Sequence, residues 1–157
     1  MILLNEAWLA ALLVILILLA KISFDDITKR TVKHRYLTIL IVLFMCSWFV
    51  SPNYKVLPYT GCILVVGFIL HVLGVLGAGD SKLVAVISLG VMPDYISLML
   101  FGAIALGGVL AVLTLCYGLL TDLQRTRAKG IPYAVPISIS GGFFIFLSYI
   151  DWFGIVS

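Results

Sequence analysis

The sequence predicts an all-α membrane protein, a bundle of about six transmembrane helices with both termini on the non-cytoplasmic side. Of its 157 residues, 63% are hydrophobic and only 11% are charged, and the mean hydropathy is +1.23. An ordinary soluble domain is about half apolar and about a quarter charged. Because a crossing helix needs about 20 apolar residues, the chain is long enough for about six crossings with short loops. We therefore expect residues 1–157 to form a single integral membrane domain.

Apolar runs interrupted by proline, glycine and charged residues mark the six helices. The first carries Glu6 where a signal peptide has a basic n-region, so we expect it to be retained. The second follows a basic loop, and the third ends at a glycine-rich turn. The fourth has only 11 residues because Pro93 and Asp94 stop it, and a bilayer accommodates so short a helix at modest cost. The fifth follows directly, and the sixth opens after a proline-containing segment. The predicted bounds are Ala7–Phe24, Tyr36–Val50, Leu57–Leu76, Lys82–Met92, Tyr95–Leu120 and Ala134–Ile150.

The distribution of basic residues predicts the orientation of this bundle. If all six helices cross, residues 21–35, 77–82 and 121–133 lie on one side of the membrane. These segments hold nine of the ten basic residues, and the opposite side holds only Lys55. The positive-inside rule places the three segments in the cytoplasm and supports the short fourth helix as a true crossing. The net charge of +3 is too small to indicate nucleic acid as a partner, which leaves membrane lipid as the expected surroundings.

Four carboxylates lie on the predicted cytoplasmic face. Asp122 stands among basic residues and is expected to be a loop charge, which leaves Asp25, Asp26 and Asp80 at helix ends. Ionisable groups in membrane helices usually face the interior of the bundle and mark function. Asp80 alone is also consistent with a helix N-cap, since an aspartate accepts backbone N–H groups at a helix start. Gly77 and Gly79 beside it allow positive φ and a close approach of another chain, which favours a site that receives an extended peptide.

Two such carboxylates are consistent with two kinds of function. If they approach closely they share one proton and titrate as a pair. One then acts as a base on water while the other polarises a peptide carbonyl, as in aspartic proteases. The alternative is a polytopic transport or channel subunit that uses the same carboxylates as an ion or proton relay, but no carboxylate lies near the predicted midplane. The three cysteines form no CxxC or Cys/His cluster, so we expect no metal and no other cofactor.

Three segments resemble motifs of the type IV prepilin peptidase family. The segment "GAGDSKL" is similar to the GxGD motif of these membrane aspartyl proteases, and "FDDITKRTVKHRYLT" resembles the family's first aspartate motif. Aligned on that spacing, Asp26 takes the catalytic position and Asp25 is the alternative. An Ile-Pro-Asn sequence is usual a few residues later, and Val32 fits it while Lys33 and His34 depart from it. The segment "KGIPYAVPISISGG" resembles a third element, which maps to Pro132, Tyr133 and Pro136.

The resemblance implies an aspartic endopeptidase of the bacterial inner membrane that removes the short basic leader from a prepilin or pseudopilin substrate at the cytoplasmic face. Asp26 and Asp80 would form the dyad that activates water. Larger members also methylate the new N-terminus and carry a cytoplasmic domain with paired CxxC motifs, for which this chain has neither the motifs nor the length. It therefore resembles the small peptidase-only type of tight-adherence (Flp) pilus secretion systems. Presenilin-like proteases share GxGD but are considerably larger.

The resemblance also draws attention to residues that support the site. Gly77 and Gly79 would let the substrate backbone lie close to the dyad. Lys82 is either a snorkelling anchor or a residue that tunes Asp80, and Tyr133 is either an interfacial aromatic or a catalytic donor. Elsewhere, the pairs Gly107-Gly108 and Gly141-Gly142 predict close helix packing. The sequence indicates no oligomeric state.

Overall fold

A computed structural model describes residues 2–49, 52–121 and 130–152, with the backbone alone for residues 2–7. Within these residues the chain forms six α-helices and no strand, which confirms the prediction of an all-α bundle. A single 3₁₀ turn, Tyr54–Val56, leads into the third helix. The helices are α1 (Ile2–Lys29), α2 (His34–Trp48), α3 (Leu57–Val72), α4 (Ala78–Ser88), α5 (Pro93–Leu120) and α6 (Ala134–Trp152).

Four helical segments are long and apolar enough to cross a membrane. They are Trp8–Lys29, Tyr54–Val72, Pro93–Leu120 and Ala134–Trp152. Helix α2 is apolar but shorter, with 15 residues. Helix α4 has 11 residues and is about 16 Å long, about half the thickness of the hydrocarbon core. The chain is therefore a multi-pass membrane protein, whereas the crossing by α4 and the side on which the termini lie stay predictions.

Most helix ends differ from the predicted bounds by two to five residues; α3, for example, ends at Val72 instead of Leu76, and α4 ends at Ser88 instead of Met92. Two of the differences concern the aspartates. Helix α1 continues to Lys29 instead of ending at Phe24, so Asp25 and Asp26 lie in its last two turns. It stops where Arg30 adopts a left-handed φ of 52°. Helix α4 begins at Ala78 instead of Lys82, which places Asp80 in its first turn. An apolar run ends at the first charge, but a helix continues until its backbone is capped or broken, so the sequence pattern missed these polar turns.

Helices α4 and α6 form the centre of the bundle. Helix α6 packs against α1, α4 and α5, and α4 also packs against α2 and α3. Six of the 11 residues of α4 are buried, and α6 is much more buried than α3 or α5. The outer faces of α3 and α5 carry exposed large apolar side chains, such as Phe68 and Phe101. That pattern is expected of helices whose outer faces contact lipid.

Glycines allow the central helices to pack closely. A Cβ atom added at Gly141 would lie 2.5 Å from Cγ2 of Ile87 in α4, and one added at Gly142 would lie 3.2 Å from Cδ2 of Leu16 in α1. A Cβ atom added at Gly107 of α5 would lie 3.3 Å from Cε1 of Tyr133, just before α6. Gly108 has no such neighbour within 4 Å, so the predicted close packing is confirmed for three of the four glycines and wrong for Gly108.

Gly141→Ala is expected to destabilise the bundle by about 1–3 kcal/mol, because its new methyl group would overlap Ile87, which is fully buried and has no room to move. Gly108→Ala is the matched control. Its methyl group would enter open space, and the gain in helix propensity makes it neutral or stabilising. Thermal unfolding in detergent measures both, and equal melting temperatures would contradict the packing argument.

The C-terminal end of α4 is held by polar groups of neighbouring segments. The indole N–H of Trp48 donates to the carbonyl of Leu89 (3.2 Å), and the side-chain amide of Asn53 donates to the carbonyl of Val91 (3.0 Å). The last carbonyls of a helix have no partner within it. These contacts satisfy backbone groups just beyond α4 and fix the short helix at the end opposite Asp80.

Candidate active site

Asp26 continues the buried stripe of α1 and reaches the start of α6. Its side chain is 7% exposed, and the backbone N–H of Ala134 donates to its Oδ2 at 3.1 Å. Ala134 is the first residue of α6, so its N–H has no partner within the helix. The positive end of the helix dipole also favours a carboxylate at this position. The buried stripe itself consists of Leu12, Ile15, Leu19 and Ile22.

Asp80 is the third residue of α4 and lies half-buried near Asp26. The backbone N–H of Gly77, the residue before the helix, donates to its carboxylate. This is the contact that the third residue of a capping box makes. Asp80 lies outside the helices that are long enough to span the membrane. Burial and the negative charge of Asp26 raise the pKa of Asp80 to about 6. The charge of Asp26 in α1 therefore opposes the ionisation of Asp80 in α4.

The glycines beside Asp80 leave room for groups of the chain itself, without the positive φ that the sequence allowed. Neither adopts positive φ, and Gly77 has a φ of −68°. A Cβ at Gly77 would lie 2.7 Å from Oδ2 of Asp80, so its absence leaves room for the carboxylate. A Cβ at Gly79 would lie 3.1 Å from Cβ of Val32 in the loop before α2. The groups that approach these glycines belong to the chain itself, and the approach of a substrate chain stays a prediction.

Asp25 is held by a different partner from Asp26. Lys33 lies 3.1 Å from its Oδ2, in an ion pair that is mostly shielded from solvent on the Asp25 side. Lys33 also lies 5.7 Å from the centre of the Tyr36 ring. The lysine that departs from the family's usual pattern is thus the partner of the neighbouring carboxylate. Of the two adjacent aspartates, Asp26 contacts α6 and acts electrostatically on Asp80, and Asp25 contacts the loop.

The "IPYAVP" segment fixes the start of α6. Pro132 is buried and Tyr133 is half-buried. A Cβ added at Gly107 of α5 would lie 3.3 Å from Cε1 of Tyr133 and 3.8 Å from Cγ of Pro136, so this segment packs closely on α5. That packing places the N–H of Ala134 at Asp26. Lys82 is exposed, which agrees with the role of an anchor.

The backbone N–H of Ala134 is the functional group that reasoning from side chains missed. Its signal is present in the sequence, because prolines around a helix start mark the turn whose N–H groups lack helical partners.

Four charged residues that were predicted to lie on the cytoplasmic side are outside the described residues, namely Asp122, Arg125, Arg127 and Lys129. Lys21, Lys29 and Arg30 lie towards the same end of α1 as Asp26.

This arrangement provides the parts of an acid–base pair. One carboxylate is oriented by a helix N-terminus, and the other has a raised pKa to which the charge of the first contributes. A family model described as the type IV leader peptidase family matches residues 4–112, a stretch that contains all three aspartates and ends before the "IPYAVP" segment. No curated protein and no solved structure matches the chain. The family match covers more than two thirds of the sequence, and the chain belongs to the type IV leader peptidase family.

Proposed function

We propose that this protein is an aspartic endopeptidase that cleaves the short basic leader from prepilin-like substrates, with Asp26 and Asp80 as its dyad. Membership of the family supports the peptidase activity and a prepilin-like substrate. One observation carries the aspartic mechanism: Asp26 and Asp80 converge from two helices, so that the charge of one raises the pKa of the other. Two carboxylates that share one proton are the requirement for this chemistry.

In this mechanism the two carboxylates have different roles. The reactive form has Asp80 protonated and Asp26, which accepts the N–H of Ala134, ionised. Because the pKa of Asp80 is about 6, this form is a minor share of the protein at neutral pH and becomes more populated towards pH 6. Asp26 takes a proton from water as the water oxygen bonds to the carbonyl carbon of the substrate, and Asp80 gives its proton to the carbonyl oxygen. The tetrahedral intermediate then collapses and the C–N bond breaks. The leaving amine takes the proton from Asp26, and Asp80 recovers a proton from a hydroxyl of the intermediate, so the dyad returns to its initial state.

The surroundings of the dyad agree with a substrate that enters from the membrane. The dyad lies at the end of the bundle that carries most of the described basic residues, which we take as the cytoplasmic side. The apolar helix of a prepilin would pack laterally against exposed apolar faces of the bundle, such as that of α5, while its leader emerges at the cytoplasmic surface. We assign the protein to the small peptidase-only type of Flp systems, which leaves the new N-terminus unmethylated.

Purified protein in proteoliposomes, incubated with a prepilin that keeps its leader and its first apolar helix, tests this function. We expect mass spectrometry to find two fragments and an unmodified new N-terminus, even when S-adenosylmethionine is present. A chelator should leave the rate unchanged. A folded protein that cuts no member of a prepilin panel would contradict the proposal, and a methylated product would contradict the peptidase-only assignment.

Gly77→Ala is expected to lower the rate of cleavage at least tenfold without unfolding the protein. The added methyl group would lie 2.7 Å from Oδ2 of Asp80, so the carboxylate must leave its contact with the backbone N–H and move relative to Asp26. Displacements of about 1 Å in a catalytic group cost up to about a hundredfold in rate. Gly61→Ala in α3, where the new methyl group has no neighbour within 4 Å, is the control. Equal rates for the two variants would show that the position of Asp80 does not depend on Gly77.

A further inference from the structure

Ser138 of α6 has a buried hydroxyl group without a hydrogen-bond partner among the described residues. Its side chain is 5% exposed. Serines within helices usually donate to the carbonyl three or four residues earlier, and Ser148 of the same helix does so at 2.8 Å. Ser140 instead donates to the carbonyl of Met99 in α5 at 2.7 Å. A buried hydroxyl without a partner costs about 1–3 kcal/mol, so this one indicates a bound polar group.

The position of Ser138 on α6 directs its hydroxyl between the two helices that carry the dyad. Residues three and four positions apart lie on one face of a helix. Ser138 precedes Gly141, which contacts α4, by three residues, and Gly142, which contacts α1, by four. The side chain of Ser138 therefore points from α6 towards the space between α4 and α1. It also follows Ala134, the donor to Asp26, by one turn.

The hydroxyl also leans towards the dyad along the helix axis. The Cα–Cβ bonds of an α-helix tilt towards its N-terminus, so the side chain of Ser138 lies over the turn that begins at Ala134. The residues one turn from each aspartate on the bundle side, Ile22 in α1 and Leu83 in α4, are fully buried and apolar. Ser138, one turn from Ala134, thus brings a hydroxyl to a depth at which α1 and α4 carry these buried apolar side chains.

We propose that Ser138 is a positioning residue whose Oγ holds the attacking water against the dyad from the membrane side. The inference rests on the proposed peptidase function. Buried waters in proteins typically make about three hydrogen bonds. In this arrangement the water donates one hydrogen to Asp26 and the other to Ser138, which leaves an oxygen lone pair free to attack the substrate carbonyl. The water thus gives the buried Ser138 hydroxyl the polar partner that it lacks among the described residues.

Ser138→Ala, assayed in proteoliposomes with a prepilin peptide, tests this role. We expect kcat to fall about ten- to a hundredfold, as after loss of one hydrogen bond that orients a reacting group, with KM within about twofold. The melting temperature should stay equal or rise, because the variant removes a buried hydroxyl that lacks a protein partner. Ser138→Thr retains a hydroxyl and should recover most of kcat.

Ser140→Ala is the matched control, since it removes a hydroxyl that has a protein partner and faces α5. It should lower the melting temperature and leave kcat within about twofold. If Ser138→Ala keeps full kcat, or loses kcat only in proportion to a fall in melting temperature, the inference is overturned while the peptidase function stands. A wild-type protein that cleaves no prepilin peptide overturns both.

Discussion

Asp80→Asn is expected to abolish prepilin cleavage and to make the protein harder to unfold at neutral pH. Loss of a group that transfers a proton in the transition state costs about a hundred- to ten-thousandfold in rate. The amide oxygen of asparagine can still accept the N–H of Gly77, so the start of α4 should persist. Co-expression with a prepilin, followed by separation of processed and unprocessed forms, measures the first effect.

The stabilising effect follows from the pKa of Asp80. Its value in the folded protein, about 6, lies above the ordinary value of 3.8, so folding favours the protonated form. The wild-type protein therefore loses stability as the pH rises from about 4 to about 6, and above that range it carries the full cost of a partly buried charge. Asp80→Asn removes this cost, which is on the order of 3 kcal/mol. The difference in melting temperature between variant and wild type should shrink at pH 4.

Asp94→Asn is the control for both effects, because Asp94 lies in the first turn of α5, at the end of the bundle opposite the dyad. It should process the prepilin at a rate within about twofold of the wild type. Full cleavage by a stably inserted Asp80→Asn protein would exclude Asp80 from the chemistry. An inactive Asp80→Asn variant that is also less stable at pH 7.5 would contradict the electrostatic argument.

Asp26→Asn is expected to be as inactive as Asp80→Asn, whereas Asp25→Asn should keep its activity within about tenfold. Asp26 would lose its ability to take a proton from water, although the amide could still accept the N–H of Ala134. Asp25→Asn breaks the ion pair with Lys33 and should act mainly on stability. Steady-state kinetics and melting temperatures of the two purified variants separate these effects.

Lys33→Met provides the matched test of this assignment, because it removes the partner of Asp25 and leaves both aspartates in place. It should resemble Asp25→Asn in activity. If Asp25→Asn abolishes cleavage and Asp26→Asn does not, the alignment of the first motif is shifted by one residue and Asp25 belongs to the dyad.

The sequence predicted the helices well because hydrophobicity is a local property. Six apolar runs became six helices, and the glycine pair at 141–142 lies at a close crossing, as expected. The polar ends were harder to predict. Asp25 and Asp26 extend α1, and Asp80 lies within α4, because helix ends depend on capping and backbone dihedral angles rather than on where hydrophobicity stops.

The candidate site combines residues that the sequence singled out with contacts that the sequence could not predict. The two carboxylates were expected to meet, and the charge of Asp26 does act on Asp80. The contact of Val32 with Gly79 and the bond from Ala134 to Asp26 could not be predicted, since they join segments far apart in the chain. The lone hydroxyl of Ser138 is a further example, because whether a serine lacks a partner is decided only by three-dimensional packing.

The hydrogen bond from α6 to Asp26 has a consequence for how this site tolerates mutation over time. The donor is the main-chain N–H of Ala134. Every amino acid except proline has this group, so no other substitution at this position removes the donor. The fully buried position limits substitution to small residues. Drift among glycine, alanine and serine at this position would therefore leave the anchoring of Asp26 unchanged, and variation there would give no sign that the main chain holds this carboxylate.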